Sequence, residues 1–387
     1  MPAPGLYRFA ETEQVVFGIP YAVAAPREAE RIAAERVFVL SSGTLNQETS
    51  VVSDLCKALG GRFAGLWDRI GAHTPRSDVV AAANAARSAG ADLIITIGGG
   101  SITDGGKMVQ LCLANNVETT DQLDGYRSIA GKPSETEITA PTVRQLAIPT
   151  TLSAGEFSFT VGCTDTVRKV KEGYPHPMLV PRIVVLDPAA TVPTPLWLFL
   201  SSGVRAVDHA VEDICSPGCN AYSEAASVHA LKLLARGLPA VKADPSDLDA
   251  RHDRQMGMWL SMVGSQSGVP KGASHAIGHI LGGTAGVPHG YTSCVMLPWV
   301  MQWNKSVNAD RQEIVSEALG KPGADAGELL YGLIGGLGMP RCLSDVDVTE
   351  EQFELLAVNT MDGRWTATNP HKIKGPEMVM EILRLAR

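Results

Sequence analysis

Aromatic side chains are scarce in this chain of 387 residues: Phe, Trp and Tyr together make up 5%. So few rings offer no platform on which nucleic-acid bases could stack. Charged residues are also sparse at 19%, and the balance is acidic, with a formal net charge of -8. That argues against a nucleic-acid partner and against an anionic membrane surface. No apolar run approaches the roughly 18 residues of a membrane-spanning helix, so none is expected. The opening segment MPAPGLYRFAETEQ has no basic stretch followed by an apolar one, so it does not read as a secretory signal. A cytoplasmic protein is the expectation. The cysteines number seven, an odd count, and they are scattered. The only close pair, Cys215 and Cys219, has no second pair at zinc-ribbon spacing. Idle thiols in a reducing compartment are expected. Internal repeats and low-complexity tracts are also lacking.

What is present is apolar material for large cores, 45% of the chain, over a length that suggests two domains. In the first part, strand-like and helix-like stretches alternate. Residues 14–18 read as a strand, 25–35 as a helix and Val37–Leu40 as a buried strand. Then come a helix over 49–59, a strand over 63–67, an Ala-rich helix over 77–89 and the clearest buried strand, Leu93–Ile97. Such alternation predicts a doubly wound parallel sheet. Ligands in such sheets bind at the carboxyl ends of the strands.

Beyond Ile97 the chain reads Gly98-Gly99-Gly100-Ser101 and continues as a helix. Glycines let the backbone approach a ligand closely, and a helix N-terminus offers unpaired N–H groups and a positive dipole end. The segment is neither GxGxxG nor a P-loop, because Lys107 comes too late. A bound pyrophosphate is expected here. After a strand over 145–148, Pro149-Thr150-Thr151 offers hydroxyls to a phosphate or a ribose, or forms an ordinary hydroxyl turn. Residues 115–140, with Gly125, Gly131 and Pro133, read as a surface excursion. Strands are expected at 160–163 and 182–186, around the basic segment VRKVKEGY.

After about residue 196, helix-like spans dominate: 203–214, 221–234, 247–267, 274–281, 293–304, 310–319, 326–337, 350–359 and 376–385. Two prolines in Val192-Pro193-Thr194-Pro195 suggest a hinge. Residues 1–195 are therefore expected to form an α/β dinucleotide domain, and 196–387 an all-helical catalytic domain, with a cleft between. Within the helical half, Gly272–Gly290 holds three of the nine histidines, His275, His279 and His289. His275 and His279 are four apart and share a helix face. Gly282, Gly283 and Gly286 are expected to end that helix, leaving His289 on the next loop. Such a trio builds a metal site or a proton relay, or is a plain pair of surface imidazoles. A second helix, GVRAVDHAVE, carries Arg205, Asp208, His209 and Glu212 on one face. A mostly Val and Ala helix has little reason to bear them unless they meet something polar. Arg205 with Asp208 or Glu212 can be a structural ion pair, and that pair can also orient His209.

These residues come in the order and spacing of a known family. Gly98–Ser101 with Asp104 and Lys107, then Pro149-Thr150-Thr151, Asp187-Pro188, Asp208-His209-Ala210 and finally His275, His279 and His289-Gly290 resemble the iron-containing (group III) alcohol dehydrogenases. That family includes the maleylacetate reductases, and Ala72-His73-Thr74-Pro75 looks closer to their branch. The resemblance implies a Rossmann-like sheet domain and an all-α domain, as in dehydroquinate synthase-like architectures. It implies hydride transfer between NAD or NADP and a carbonyl or alcohol of a small molecule, and a homodimer or larger assembly. The family holds a divalent metal, Fe or Zn, with one Asp and three His; the histidines match His209, His275 and His289. His279 matches the residue credited with proton transfer. The Asp position is Arg205. A guanidinium about 5 Å from a dication would cost on the order of 6 kcal/mol at an effective dielectric of about 20. Either Asp208 takes over as ligand, or Arg205 turns away, or the metal is absent. In the last case, protonated His and Arg205 would stabilise the oxyanion and suit a carboxylate substrate. For the cofactor, the family's ribose-binding Asp is replaced by Ser42, which permits NADP, while no nearby Arg clearly grips a 2'-phosphate, so NAD stays open as well. Gly99, Gly100, Ser101, Asp104, Thr150 and Thr151 would bind the dinucleotide. Lys169, or Lys171, matches a lysine near its ribose. A lyase of the sugar-phosphate cyclase type and a sensor without turnover are the competing readings.

Overall fold

The computed structural model describes residues 7, 9–128, 134–363 and 365–387. The chain divides into two compact units, Ala10–Thr194 and Pro195–Arg387, the second joined by Tyr7 and Phe9.

The first unit runs β1 (Gln14–Phe17), α1 (Tyr21–Arg31), β2 (Val37–Leu40), α2 (Gly43–Glu48), α3 (Val51–Leu59), β3 (Phe63–Trp67), α4 (Arg76–Ser88), β4 (Leu93–Gly98), α5 (Gly100–Ala114), β5 (Arg144–Pro149), β6 (Thr160–Asp165), β7 (Val170–Pro175) and β8 (Ile183–Leu186). Six strands form one parallel sheet in the order β1-β8-β5-β4-β2-β3. β4 is buried along its whole length because both faces of a parallel sheet are covered. Its side chains alternate between two cores. Ile94 packs with Phe38 and Leu40 on one face, while Leu93, Ile95 and Ile97 join Val37 and Val39 on the other.

Helix α5 lies so close to the sheet that glycine is required. A Cβ on Gly106 would come within 2.4 Å of Thr96 Cγ2 and 2.6 Å of Gln145 Nε2. The stretch expected as a surface excursion is only partly so, since Leu123 and Ile138 enter the core; Gly131 and Pro133 lie outside the described residues. The basic segment forms β7, paired antiparallel with β6. It was hidden because its inward residues, Glu172 and Tyr174, are not both apolar. They meet the buried Arg76, which pairs with Glu172 and donates to Tyr174 Oη at 2.9 Å.

The second unit is helical: α6 (Leu196–Cys215), α7 (Ala221–Ala243), α8 (Leu248–Leu260), α9 (Val263–Gln266), α10 (Ala273–Ala285), α11 (His289–Ala318), α12 (Ala326–Gly336), α13 (Phe353–Met361) and α14 (Pro376–Leu385). α6 is buried continuously from Phe199 to Cys215. The two helices expected over 293–304 and 310–319 lie within α11 and meet at a kink at Asn308, where φ is -141° and ψ is 32°. α10 passes through Gly282 and Gly283 and stops only at Gly286, which takes the left-handed cap at φ 69°. His289 consequently opens α11 rather than lying on a loop. No helix among the described residues is long and apolar enough to cross a membrane.

The tight contact of α5 makes Gly106→Ala destabilising. Overpacking should lower the unfolding free energy by about 1–3 kcal/mol, measured by denaturant titration; an unchanged midpoint would refute the packing argument.

Candidate active site

Two sets of residues carry chemistry, one in each unit. In the sheet unit, β4 ends in the glycine turn, and Gly99 is the N-cap of α5 without any side-chain cap. The loop after the neighbouring β5 closes onto this turn. A Cβ on Gly99 would sit 3.1 Å from Thr151 Cγ2, and one on Gly100 would sit 2.9 Å from Ser153 Oγ. Thr150 N donates to Gly98 O at 2.9 Å, and Thr151 Oγ1 donates to Ser153 Oγ at 3.2 Å. Ser101 is held from another side: its Oγ accepts from His73 N and its carbonyl accepts from Thr74 Oγ1, both at 3.1 Å. Gly99, Gly100, Ser101, Thr150 and Thr151 thus gather at the carboxyl ends of adjacent strands. The bare helix N-terminus and the absence of side chains on the turn fit a phosphate.

The other expected cofactor residues are placed differently. Ser42 caps α2, its Oγ accepting from Leu45 N at 3.3 Å. Asp104 accepts from Lys107 Nζ at 3.0 Å and from Gly162 N at 3.3 Å, so its oxygens tie α5 to the hairpin. Lys107 is fully buried and also donates to Gly155 O at 2.6 Å. Lys169 is exposed in the β6–β7 turn with φ 57°, while the stem of Lys171 lies over Gly162. Glu156 is fully buried, and neither of its carboxylate oxygens has a hydrogen-bond partner. Burial pushes its carboxyl up to about 7.

In the helical unit, α6 supplies Arg205, Asp208, His209, Glu212 and Asp213, all buried. The N-terminus of α10 meets them. Glu212 accepts from Gly272 N at 3.0 Å and Ser274 N at 2.9 Å, and its Oε2 lies 2.7 Å from His275 Nδ1. Asp208 Oδ2 accepts from Ser274 Oγ at 2.9 Å and from Ser293 Oγ of α11 at 2.6 Å. Arg205 donates to Ser293 Oγ at 3.0 Å, and its guanidinium lies 3.6 Å from Asp208 Oδ2. The ion pair of Arg205 is therefore with Asp208. Lys271, which drew no attention in the sequence, is buried against Asp213 at 2.5 Å and donates to His209 O at 3.0 Å. Its signal was a lone cation in the small and apolar stretch VPKGA.

Burial raises the Asp208 carboxyl, opposed by Arg205 and the two serine hydroxyls. It lowers His209 and His275 well below the usual histidine range, and the neighbouring Lys271 and Arg205 add to this. Both imidazoles are thus neutral near pH 7. The expectation of protonated histidines here is corrected: the fixed positive charge belongs to Arg205 and Lys271. Nδ1 of His275 shares a hydrogen bond with Glu212, whose carboxyl is pushed up to about 8 by burial, and its Nε2 is buried without a partner. The same holds for His209 Nδ1 and Asp208 Oδ1.

The rings of His209 and His275 are 5.0 Å apart between centroids. His279 is exposed, with its ring 5.8 Å from that of His289 and 4.8 Å from that of Trp365, edge-on. Trp365 also meets His275 at 5.7 Å. Among the described residues, one group of potential metal ligands has its donor atoms within 4.8 Å of one another: Asp208, Glu212 and His275. His209 and His289 are not in it.

Comparison with known proteins places this arrangement. Residues 12–188 match the model of the iron-containing alcohol dehydrogenase family, and residues 199–386 match that of the C-terminal part of Fe-containing alcohol dehydrogenases. The chain is 33% identical to dehydrogenase FUM7 of Gibberella moniliformis, covering 96% of this chain and 95% of that protein. It is 30% identical to maleylacetate reductase 1 of Cupriavidus pinatubonensis, over 87% and 85% of the two chains. The crystal structure of maleylacetate reductase from a Rhizobium species aligns with a TM-score of 0.81 at 26% identity, over 99% of this chain and 98% of that one. The chain belongs to the iron-containing alcohol dehydrogenase family, in which maleylacetate reductases form a branch. Its class is that of the family's oxidoreductases, with the parallel-sheet and helical halves that the sequence implies.

The unpaired Glu156 makes stability depend on pH. Its carboxyl is raised from 4.5 to about 7 on folding, so the stability it contributes is complete below pH 4.5 and is lost as pH rises through about 7. Glu156→Gln mimics the protonated form. It should be more stable than the parent at pH 8 by about 2–3 kcal/mol, with the gap closing near pH 4. Parallel unfolding curves at all pH values would contradict this.

Proposed function

We propose that this protein is an NAD(P)-dependent oxidoreductase that interconverts a carbonyl and an alcohol, and that it reduces an oxo substrate bearing a carboxylate, of the maleylacetate kind. The observation that carries the substrate class is the buried Arg205, a planar five-donor cation beside neutral imidazoles, one of whose terminal nitrogens serves both Ser293 and Asp208. A guanidinium takes a carboxylate through two parallel hydrogen bonds. The 30% identity to a maleylacetate reductase supports the same reading.

The turn Gly99–Ser101 and the first N–H groups of α5 would hold the pyrophosphate, with Thr150 and Thr151 beside it and Ser42 towards the adenine ribose. A bound nicotinamide supplies or accepts the hydride. The protein's own contribution is to orient the substrate and manage the proton. Arg205 binds and polarises the substrate. His279, exposed on α10 against the edge of Trp365, gives a proton to the carbonyl oxygen as the carbon receives hydride. Addition of one hydride and one proton completes the alcohol. His209 and His275, being neutral, act as hydrogen-bond partners rather than as cations.

The residues do not fit a divalent metal well. The family's carboxylate position is Arg205, and both oxygens of Glu212 and Oδ2 of Asp208 are already engaged, which leaves Asp208 Oδ1, His209 Nδ1 and His275 Nε2 as buried donor atoms without a partner. Bringing in a dication would set it against that guanidinium and Lys271.

Two outcomes are expected. His279→Ala should lower turnover roughly tenfold or more while the dinucleotide still binds; steady-state kinetics with maleylacetate, alongside a nucleotide titration, checks both, and undiminished turnover removes the role of His279. Elemental analysis of the purified protein should find far less than one Fe or Zn per chain, with activity surviving a chelator. A full equivalent of metal, lost together with activity, would instead favour a metal-dependent alcohol dehydrogenase.

A further inference from the structure

β2 and β3 are parallel neighbours with Leu40 opposite Trp67. The residues that follow each strand therefore emerge side by side at the carboxyl edge of the sheet. Ser42 and Arg69 meet there in an isolated antiparallel bridge. β2 also borders β4, with Leu40 opposite Thr96. The Ser42–Arg69 pair thus stands one strand away from the glycine turn, on the side opposite β5.

The side chain of Arg69 is exposed, yet it is not loose. Its guanidinium lies over the Trp67 ring, 4.0 Å from the centroid. Trp67 in turn packs partly against the core that contains Phe38, Leu40 and Ile70. Stacking on an anchored ring pre-organises the planar donor fork, so little freedom is lost when it takes an anion. The neighbouring carboxylate does not claim it: Asp68 accepts from Asn46 Nδ2 at 2.9 Å, and no ion pair of Arg69 forms among the described residues. Ser42 uses its oxygen to cap Leu45 N, which leaves its hydroxyl proton to donate. A carboxylate at position 42 would face Arg69 and neutralise it; a serine leaves the positive charge unspent.

We infer that Arg69, with Ser42, binds the 2'-phosphate of the adenine ribose, and that the protein selects NADP(H) over NAD(H). This rests on the dinucleotide reading given above, with the pyrophosphate at β4 and α5 and the adenosine over β2 and β3. Arginine matches a phosphate dianion bidentately, and its stacked face can at the same time flank the adenine.

The test uses two nucleotides that differ only in the 2'-phosphate, adenosine 2',5'-bisphosphate and AMP, titrated calorimetrically into the full-length protein. The parent should bind the bisphosphate at least about tenfold more tightly. Arg69→Ala should erase most of that difference, weakening the bisphosphate far more than AMP, and Arg69→Lys should restore part of it. Ser42→Asp should reverse the preference. Because Arg69 is exposed, the variants should melt like the parent. Equal affinities in the parent, or an undiminished preference in Arg69→Ala, would overturn the inference while leaving the dinucleotide site standing. No binding of either probe would overturn both.

Discussion

The helical unit depends on one constraint: α6 is buried along nearly all its length and yet carries five ionisable side chains. Each charge removed from water must be compensated locally, or its group changes protonation state. The structure meets this demand with partners from other elements. Glu212 is satisfied by the first N–H groups of α10, Asp213 by Lys271, and Asp208 by Arg205 and by serines from α10 and α11. Breaking such pairs singly is costly, because the remaining charge stays buried. The positions of α10 and α11 against α6 are thereby specified by hydrogen bonds as well as by apolar packing.

The same compensation shapes the chemistry. Glu212, which caps α10, also holds Nδ1 of His275 and so orients its ring. Burial, reinforced by the cations at Arg205 and Lys271, keeps the nearby imidazoles neutral. What results is a buried cluster in which Arg205 and Lys271 are paired with Asp208 and Asp213 beside two neutral imidazoles, and the proposed substrate class rests on the guanidinium in it. His279 stands apart because it is exposed, and its proton can exchange with water.

In the sheet unit the governing constraint is close approach. Glycines at 99, 100 and 106 let the loop after β5, the turn after β4 and helix α5 come together without side chains between them. The proposed phosphate site is therefore built from backbone. On the proposed reading, side chains at the edges, Ser42 and Arg69 among them, discriminate among nucleotides.

Much of this was legible in the chain itself. Buried parallel strands are continuous apolar runs, so β2 and β4 stood out, and so did the glycine turn that follows β4. The three histidines and the Arg205–Glu212 face were visible through helical spacing. What escaped the one-dimensional pattern was whatever depends on a partner distant in sequence. β7 is stabilised by Arg76, about a hundred residues away. Lys271 has meaning only beside Asp213, and Arg69 only beside Ser42 and Trp67. Protonation states belong to the same group, since burial and neighbouring charge decide them. The sequence determined the order of elements and the residue types available for chemistry, because periodicity and glycine placement are local properties. Only the tertiary structure decided that Arg205 pairs with Asp208, that His209 and His275 are neutral and that His279 faces water, because those outcomes follow from distance and desolvation.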